Sequence, residues 1–132
     1  VLRERDDVLV QWTDQLPEGV LGATDGARKV WIARDQLQAE RRCTLTHELV
    51  HLEWGHLGEQ PPAIERAVRI EAARRLIPIE DLVRAAVWAR SIDEAAEELW
   101  VDEETLQTRL DSLEPAERTA LIRALRERED GA

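Results

Sequence analysis

Residues 43–52 read Cys43-Thr44-Leu45-Thr46-His47-Glu48-Leu49-Val50-His51-Leu52. On a helix advancing about 100° per residue, Leu45, Leu49 and Leu52 fall within roughly 60° of one another. His47 and His51 lie on the opposite side, about 40° apart, with Glu48 on their flank. One face is built to pack and the other to face a cleft. Two histidines four apart on such a helix grip one Zn²⁺, and the glutamate between them takes a proton from the attacking water. The HExxH string therefore points to metal-assisted hydrolysis, most often of a peptide bond, with Glu48 as the catalytic base and one zinc per chain.

Upstream of this helix the chain reads as strand. Residues 8–12, Val-Leu-Val-Gln-Trp, have the β-rich composition of a short strand. Leu16-Pro17-Glu18-Gly19 is a turn signal. Residues 20–24 and 28–33 flank Asp25-Gly26, a hairpin-turn dipeptide. Three short antiparallel strands are expected. Gly55 and Gly58 end the HExxH helix. Pro61-Pro62 opens a second helix over residues 63–77, which Pro78 closes. A third runs over 79–90. Ser91-Ile92-Asp93-Glu94 has the form of a capping box and starts a fourth, with Ile92, Ala95 and Leu99 as its buried stripe. Asp102 caps a fifth, where Val101 and Leu106 are placed for a hydrophobic staple and Leu106, Leu110 and Leu113 keep helical spacing. Pro115 suits the first position of a sixth, with Leu121, Ile122 and Leu125 inward and residues 127–132 frayed. The expected fold is α+β: a small N-terminal three-stranded antiparallel sheet packed on the HExxH helix, then a mainly helical C-terminal half. Residues 1–90 are expected to form the zinc domain, and residues 91–132 a helical extension packed on it.

A catalytic zinc needs three protein ligands and one open position. Carboxylates on the second helix are the natural source of the third. Glu65 lies between Val68, Ala72 and Leu76 on the wheel, and a carboxylate inside an apolar stripe calls for a reason such as a metal. Glu71 neighbours Ile64, Ala67 and Val68, but Arg75 one turn on offers it a partner. The wheel does not choose between them. His56 falls about 140° from His51 and reaches the same metal only if the helix has ended. The spacing of Gly55 and His56, four and five residues after His51, does not fit the metzincin pattern of three and six. His56 is expected as a surface or helix-end histidine, with a substrate-polarising or oxyanion role as the alternative. Cys43, one turn before His47, is expected as a small buried residue, with a thiolate near the metal as the lesser alternative. The chain has no Tyr, which excludes a tyrosine oxyanion donor. An extended substrate is expected along residues 28–33 as an edge strand.

Composition bounds the rest. With 132 residues, 43% apolar and 35% charged, the chain is large enough for one domain with a real core. No apolar run approaches the length of a membrane span and no signal-peptide pattern opens the chain. The net charge is −10, with 28 acids against 18 bases, which disfavours binding to nucleic acid by the chain as a whole. Residues 92–113 resemble a helix-turn-helix, but its second helix carries Asp102, Glu103, Glu104 and Asp111 against Arg109 alone. A recognition helix needs donors for phosphates and bases, so direct DNA binding is not expected. The single Cys43 fits a reducing cytoplasm. The chain contains no Met, so Val1 is not expected to be the natural initiator.

The stretch Arg41-Arg42-Cys43-Thr44-Leu45-Thr46-His47-Glu48-Leu49-Val50-His51-Leu52 resembles the ImmA/IrrE family of HExxH metallopeptidases, whose motif reads R-x-T-L-A-H-E-x-x-H-L. Downstream the family carries E-x-x-A-x-x-F-A-A-x-L-L-M-P, and this chain has Glu65-Arg66-Ala67-Val68-Arg69-Ile70-Glu71-Ala72-Ala73-Arg74-Arg75-Leu76-Ile77-Pro78. Counting back from Pro78, the resemblance places Glu65 on the ligand glutamate and Glu71 on the aromatic position. It thereby favours a gluzincin-like set of His47, His51 and Glu65, with Glu71 kept as a substitute ligand. Val68 departs from the usual Ala, Glu71 from the aromatic and Val50 from the common Gly. The resemblance covers about residues 8–90, and residues 98–110 look like the family's helical tail. It implies a cytoplasmic zinc endopeptidase, of a kind often carried by phages and mobile elements. The usual protein substrate is a helix-turn-helix transcriptional repressor, whose loss relieves repression.

Overall fold

The computed structural model describes residues 8–34 and 36–131; Val1 and Ala132 lie outside them. Three strands, β1 (Leu9–Thr13), β2 (Gly22–Thr24) and β3 (Lys29–Ala33), precede six helices. These are α1 (Gln38–Glu53), α2 (Pro62–Leu76), α3 (Ile79–Trp88), α4 (Ile92–Leu99), α5 (Glu103–Asp111) and α6 (Pro115–Gly131). The α+β class is as expected, and the sheet departs from expectation in one respect. It is mixed, in the order β1-β3-β2, with β1 parallel to β3 and β2 antiparallel to it. The reason lies in burial. Val30 and Ile32 of β3 are 0% exposed, whereas four of the five β1 residues face solvent. The most apolar strand takes the centre, so residues 14–21 cross over rather than turn back. β3 therefore has neighbours on both sides and no free edge, which corrects the expectation of residues 28–33 as an edge strand.

The β2–β3 hairpin turns on Asp25-Gly26 as its sequence predicts. The Asp25 Oδ1 accepts from the backbone N–H groups of Ala27 (2.9 Å), Arg28 (3.0 Å) and Lys29 (2.9 Å). These bonds, Lys29 first, hold the Asp25 carboxyl below its usual range. Gly26 has φ +77°, a region that side chains disfavour.

Helix α1 lies across the sheet and buries Leu49 and Leu52, with Leu45, against Val30 and Ile32. Its Val50 meets Val68 and Ala72 of α2. A larger cluster joins Cys43 of α1 with Leu76, Ile77, Leu82, Ala96, Val101, Leu106 and Leu121, so residues beyond 90 share a core with α1, α2 and α3. Arg42 ties the same junction. Its guanidinium donates to the carbonyls of Leu99 (3.2 Å) and Trp100 (2.9 Å) and sits over the Trp100 ring. Trp100 ends α4 with φ 57°, the one non-glycine positive φ among the described residues.

The helix punctuation follows the sequence. Pro62 sits in the first turn of α2, Pro78 precedes α3, and Pro115 opens α6. Ser91 accepts from the Glu94 N–H (3.4 Å) and Asp102 from the Thr105 N–H (2.7 Å). Three positions expected inward face out instead: Ile92 (42% exposed), Ile122 (42%) and Leu125 (37%). Ala96 fills the α4 contact and Leu121 the α6 contact. Helix α6 runs on through Gly131 rather than fraying from residue 127.

The α4–α5 pair does not present a recognition helix. Arg109, the one base on α5, is 2% exposed and donates inward to the Ile77 carbonyl (2.7 Å) and to both Glu117 oxygens (3.0 and 2.7 Å). No described helix is long and apolar enough to cross a membrane.

Candidate metal centre

The outward face of α1 carries His47, Glu48 and His51, and α2 packs beside it through Val50, Val68 and Ala72. That packing brings the first turn of α2 over the two histidines. His47 Nε2 lies 3.2 Å from Glu65 Oε1, His51 Nε2 lies 3.1 Å from the same oxygen, and the two nitrogens are 3.2 Å apart. Among the described residues these three form the one group whose donor atoms gather closely enough to hold a metal ion. Two zinc–ligand bonds of ordinary length at a tetrahedral angle hold their donor atoms roughly 3.3 Å apart. The observed triangle matches that spacing on all three sides, and two imidazoles with one carboxylate are donors that zinc accepts. The residues present therefore fit a Zn²⁺ ion.

Glu71 lies elsewhere. Its carboxylate accepts from Arg75 Nε (2.6 Å) and Arg74 Nη2 (2.7 Å), and Arg75 reaches on to Glu53 of α1. Burial pushes the Glu71 carboxyl up, but the Arg75 and Arg74 guanidiniums outweigh it and leave the group below its usual range. This carboxylate serves an ion-pair network that clamps α2 to α1.

Glu48 is buried beside the triangle with no arginine on it. Burial, and then the charge of Glu65, push its carboxyl up to about 7. His47 is held below its usual value by burial first and then by His51. Strand β2 passes so close that a Cβ on Gly22 would stand 2.7 Å from Thr44 Cγ2 and 2.8 Å from Glu48 Cγ. Thr44 is itself fixed by donating to Gln36 Oε1 (2.7 Å), and Gln36 Nε2 donates to the Ala33 carbonyl (2.8 Å). A cavity of about 360 Å³ adjoins His47 and Glu48, walled by Leu21, Gly22, Arg69 and Thr105 among others. Helix α5 thus contributes to the wall of the cleft.

Cys43 is buried in the apolar cluster, and burial raises its thiol above the usual value, as for a small core residue. His56 lies just past the end of α1, the helix-end position expected for it. Its Nδ1 lies 2.9 Å from Nδ1 of His51, behind the ring and away from the nitrogen that meets Glu65. An oxyanion donor must face the cleft, so this placement does not suit the substrate role considered from the sequence. The signal for its position was present in Gly55. A glycine just past a helix end lets the next N–H return to the carbonyl five residues back. Here the His56 N–H bonds to the His51 carbonyl (3.0 Å) and Gly55 has φ +74°.

A small sheet, a helix bearing His47 and His51, and a neighbouring helix supplying Glu65 make up a domain of the metallopeptidase type. The chain belongs to the IrrE N-terminal-like domain family, Peptidase_M78, whose sequence model matches residues 4–111. No curated protein and no solved structure matches it.

Proposed function

We propose that the chain is a zinc-dependent endopeptidase of the gluzincin-like type, acting in the cytoplasm on a helix-turn-helix transcriptional repressor. The observation that carries the chemistry is the triangle of His47, His51 and Glu65 beside the buried carboxylate of Glu48. The repressor as substrate rests on the resemblance to the ImmA/IrrE family.

His47 Nε2, His51 Nε2 and Glu65 Oε1 would hold the metal, and Glu71 stays with its arginines. Bound zinc supplies Lewis acidity toward water and the scissile carbonyl. Glu48 accepts a proton from the attacking water on its carboxylate and returns it to the leaving amine. A buried carboxylate with no arginine on it is free to take the proton and to give it back. The extended substrate lies along β2, which has one free edge and approaches Glu48 at Gly22. One substrate side chain enters the cavity between β2, α2 and α5.

The test is co-expression with a repressor encoded next to this chain, wild type against Glu48→Gln, with zinc measured in each purified protein. Both proteins are expected to carry one zinc, and wild type alone to cut the repressor. Equal cleavage by the variant removes Glu48 from the mechanism. An intact repressor with both proteins favours a metal-binding partner that does not cleave.

A further inference from the structure

We infer that His56 is a positioning residue for His51, holding its ring in the tautomer that offers Nε2 outward. The inference rests on the proposed metal reading and adds a residue to it. An imidazole that gives one nitrogen's lone pair to a metal carries its proton on the other, and that proton needs an acceptor. For His51 the other nitrogen is Nδ1, and the polar atom facing it is His56 Nδ1 at 2.9 Å. Either nitrogen of the pair can donate; with His51 Nε2 given to a metal, His51 Nδ1–H donates and His56 Nδ1 accepts, with the His56 proton on Nε2. The two rings meet edge to face, with centroids 5.1 Å apart and planes at 63°.

Three independent contacts hold His56 in place. Its backbone N–H bonds to the His51 carbonyl (3.0 Å), so main chain and ring both return to the same residue. Trp54 lies edge-on to its ring at 5.8 Å. The tip of the β2–β3 hairpin closes on its main chain, where a Cβ on Gly26 would stand 2.7 Å from the His56 carbonyl oxygen. The hairpin, the helix end and the metal-facing ring are thus connected in series.

The test measures zinc affinity of the full chain by chelator competition, together with exchange of the His51 Nδ1–H in the zinc-loaded protein by ¹H–¹⁵N NMR. Asparagine places its Oδ1 where histidine has Nδ1, so His56→Asn keeps an acceptor. His56→Phe keeps a ring and removes the acceptor. His56→Asn is expected to bind zinc within about threefold of wild type, and His56→Phe about 10–100-fold more weakly. In the zinc-loaded protein the His51 Nδ1–H is expected to be hydrogen-bonded and slow to exchange in wild type and His56→Asn, and fast to exchange in His56→Phe. Equal zinc affinity in wild type and His56→Phe overturns the inference, as does equal weakening in both variants, which assigns the effect to packing. If His56→Phe does not fold, Gly26→Ala displaces His56 from the other side and is expected to weaken zinc binding, and unchanged affinity counts against the inference. A wild-type protein that takes up no zinc overturns the metal reading and the inference with it, whereas zinc uptake with equal affinity in His56→Phe overturns the inference alone.

Discussion

Gly22→Ala tests how the sheet sets the position of the candidate base. A new Cβ would stand 2.7 Å from Thr44 Cγ2 and 2.8 Å from Glu48 Cγ. Carbon atoms in ordinary contact sit about 3.5–4.0 Å apart, so the shortfall is about 0.8 Å on two sides. Neither neighbour moves freely. Thr44 is bonded to Gln36, and Cγ of Glu48 lies near the base of a buried side chain. Overpacking of this kind costs about 1–3 kcal/mol. Displacement of the Glu48 carboxylate by up to about 1 Å carries a kinetic loss on the order of 100-fold. Urea denaturation reads the first effect and repressor cleavage the second. Thr44→Ser in the same chain keeps the hydroxyl for Gln36 and removes Cγ2, so the double variant regains about 1 kcal/mol of stability. The Glu48 contact persists, so cleavage stays low. A Gly22→Ala protein with wild-type stability and wild-type turnover would falsify the close approach of β2 to Glu48.

Two further substitutions separate the acidic residues of α2. Glu65→Gln is expected to weaken zinc binding by more than about 100-fold, beyond the loss typical of an outer hydrogen-bond partner. Glu71→Gln is expected to leave zinc affinity unchanged and to cost about 1–2 kcal/mol by unpairing Arg75 from α2; chelator competition and denaturation read the two apart. Arg109→Met leaves the buried Ile77 carbonyl without its donor, at a cost of about 2–3 kcal/mol. It also changes the acid response. The Arg109 guanidinium holds the Glu117 carboxyl down at about 2, against an ordinary value of 4.5. A folded-state value below the unfolded one stabilises the protein above about 4.5, and that stability is lost as pH falls toward 2. Denaturation midpoints between pH 5 and pH 2 are expected to fall less steeply in Arg109→Met, and parallel curves would count against the pair.

The helices were legible because their ends are chemically marked. Pro62, Pro78 and Pro115, the caps Ser91 and Asp102, and Gly55 all act through local backbone geometry that sequence carries directly. Strand order is not local. Asp25-Gly26 announces the β2–β3 hairpin, but nothing in residues 14–21 distinguishes a reversal from a crossover. That choice depends on Val30 and Ile32 being wanted at the centre of the sheet. The outward Ile92, Ile122 and Leu125 have a similar origin. Periodicity locates an apolar stripe, while the partner helix decides which edge of it is covered, and at α4 the small Ala96 permits the closer approach. Of the two α2 carboxylates, Glu71 was visibly near Arg75, and Arg74 pairs with it along the same helix, but the link from Arg75 to Glu53 exists only once α2 lies on α1. Gly55 announced that His56 lies past the helix end, but the turn of its ring onto Nδ1 of His51 depends on the folded helix terminus.

The central position of β3 also orders events in time. The β2–β3 hairpin and α1 join residues close in sequence, whereas pairing Leu9 with Lys29 and Thr13 with Ala33 closes a much longer loop. Loop closure costs entropy before the new contacts return any, so β1 is the strand that docks last and leaves first. With four of its five residues facing solvent, it has little buried surface to delay that departure. Amide exchange in β1 should therefore run ahead of exchange in α1, so that one edge of the sheet opens while the helix carrying His47, Glu48 and His51 stays closed.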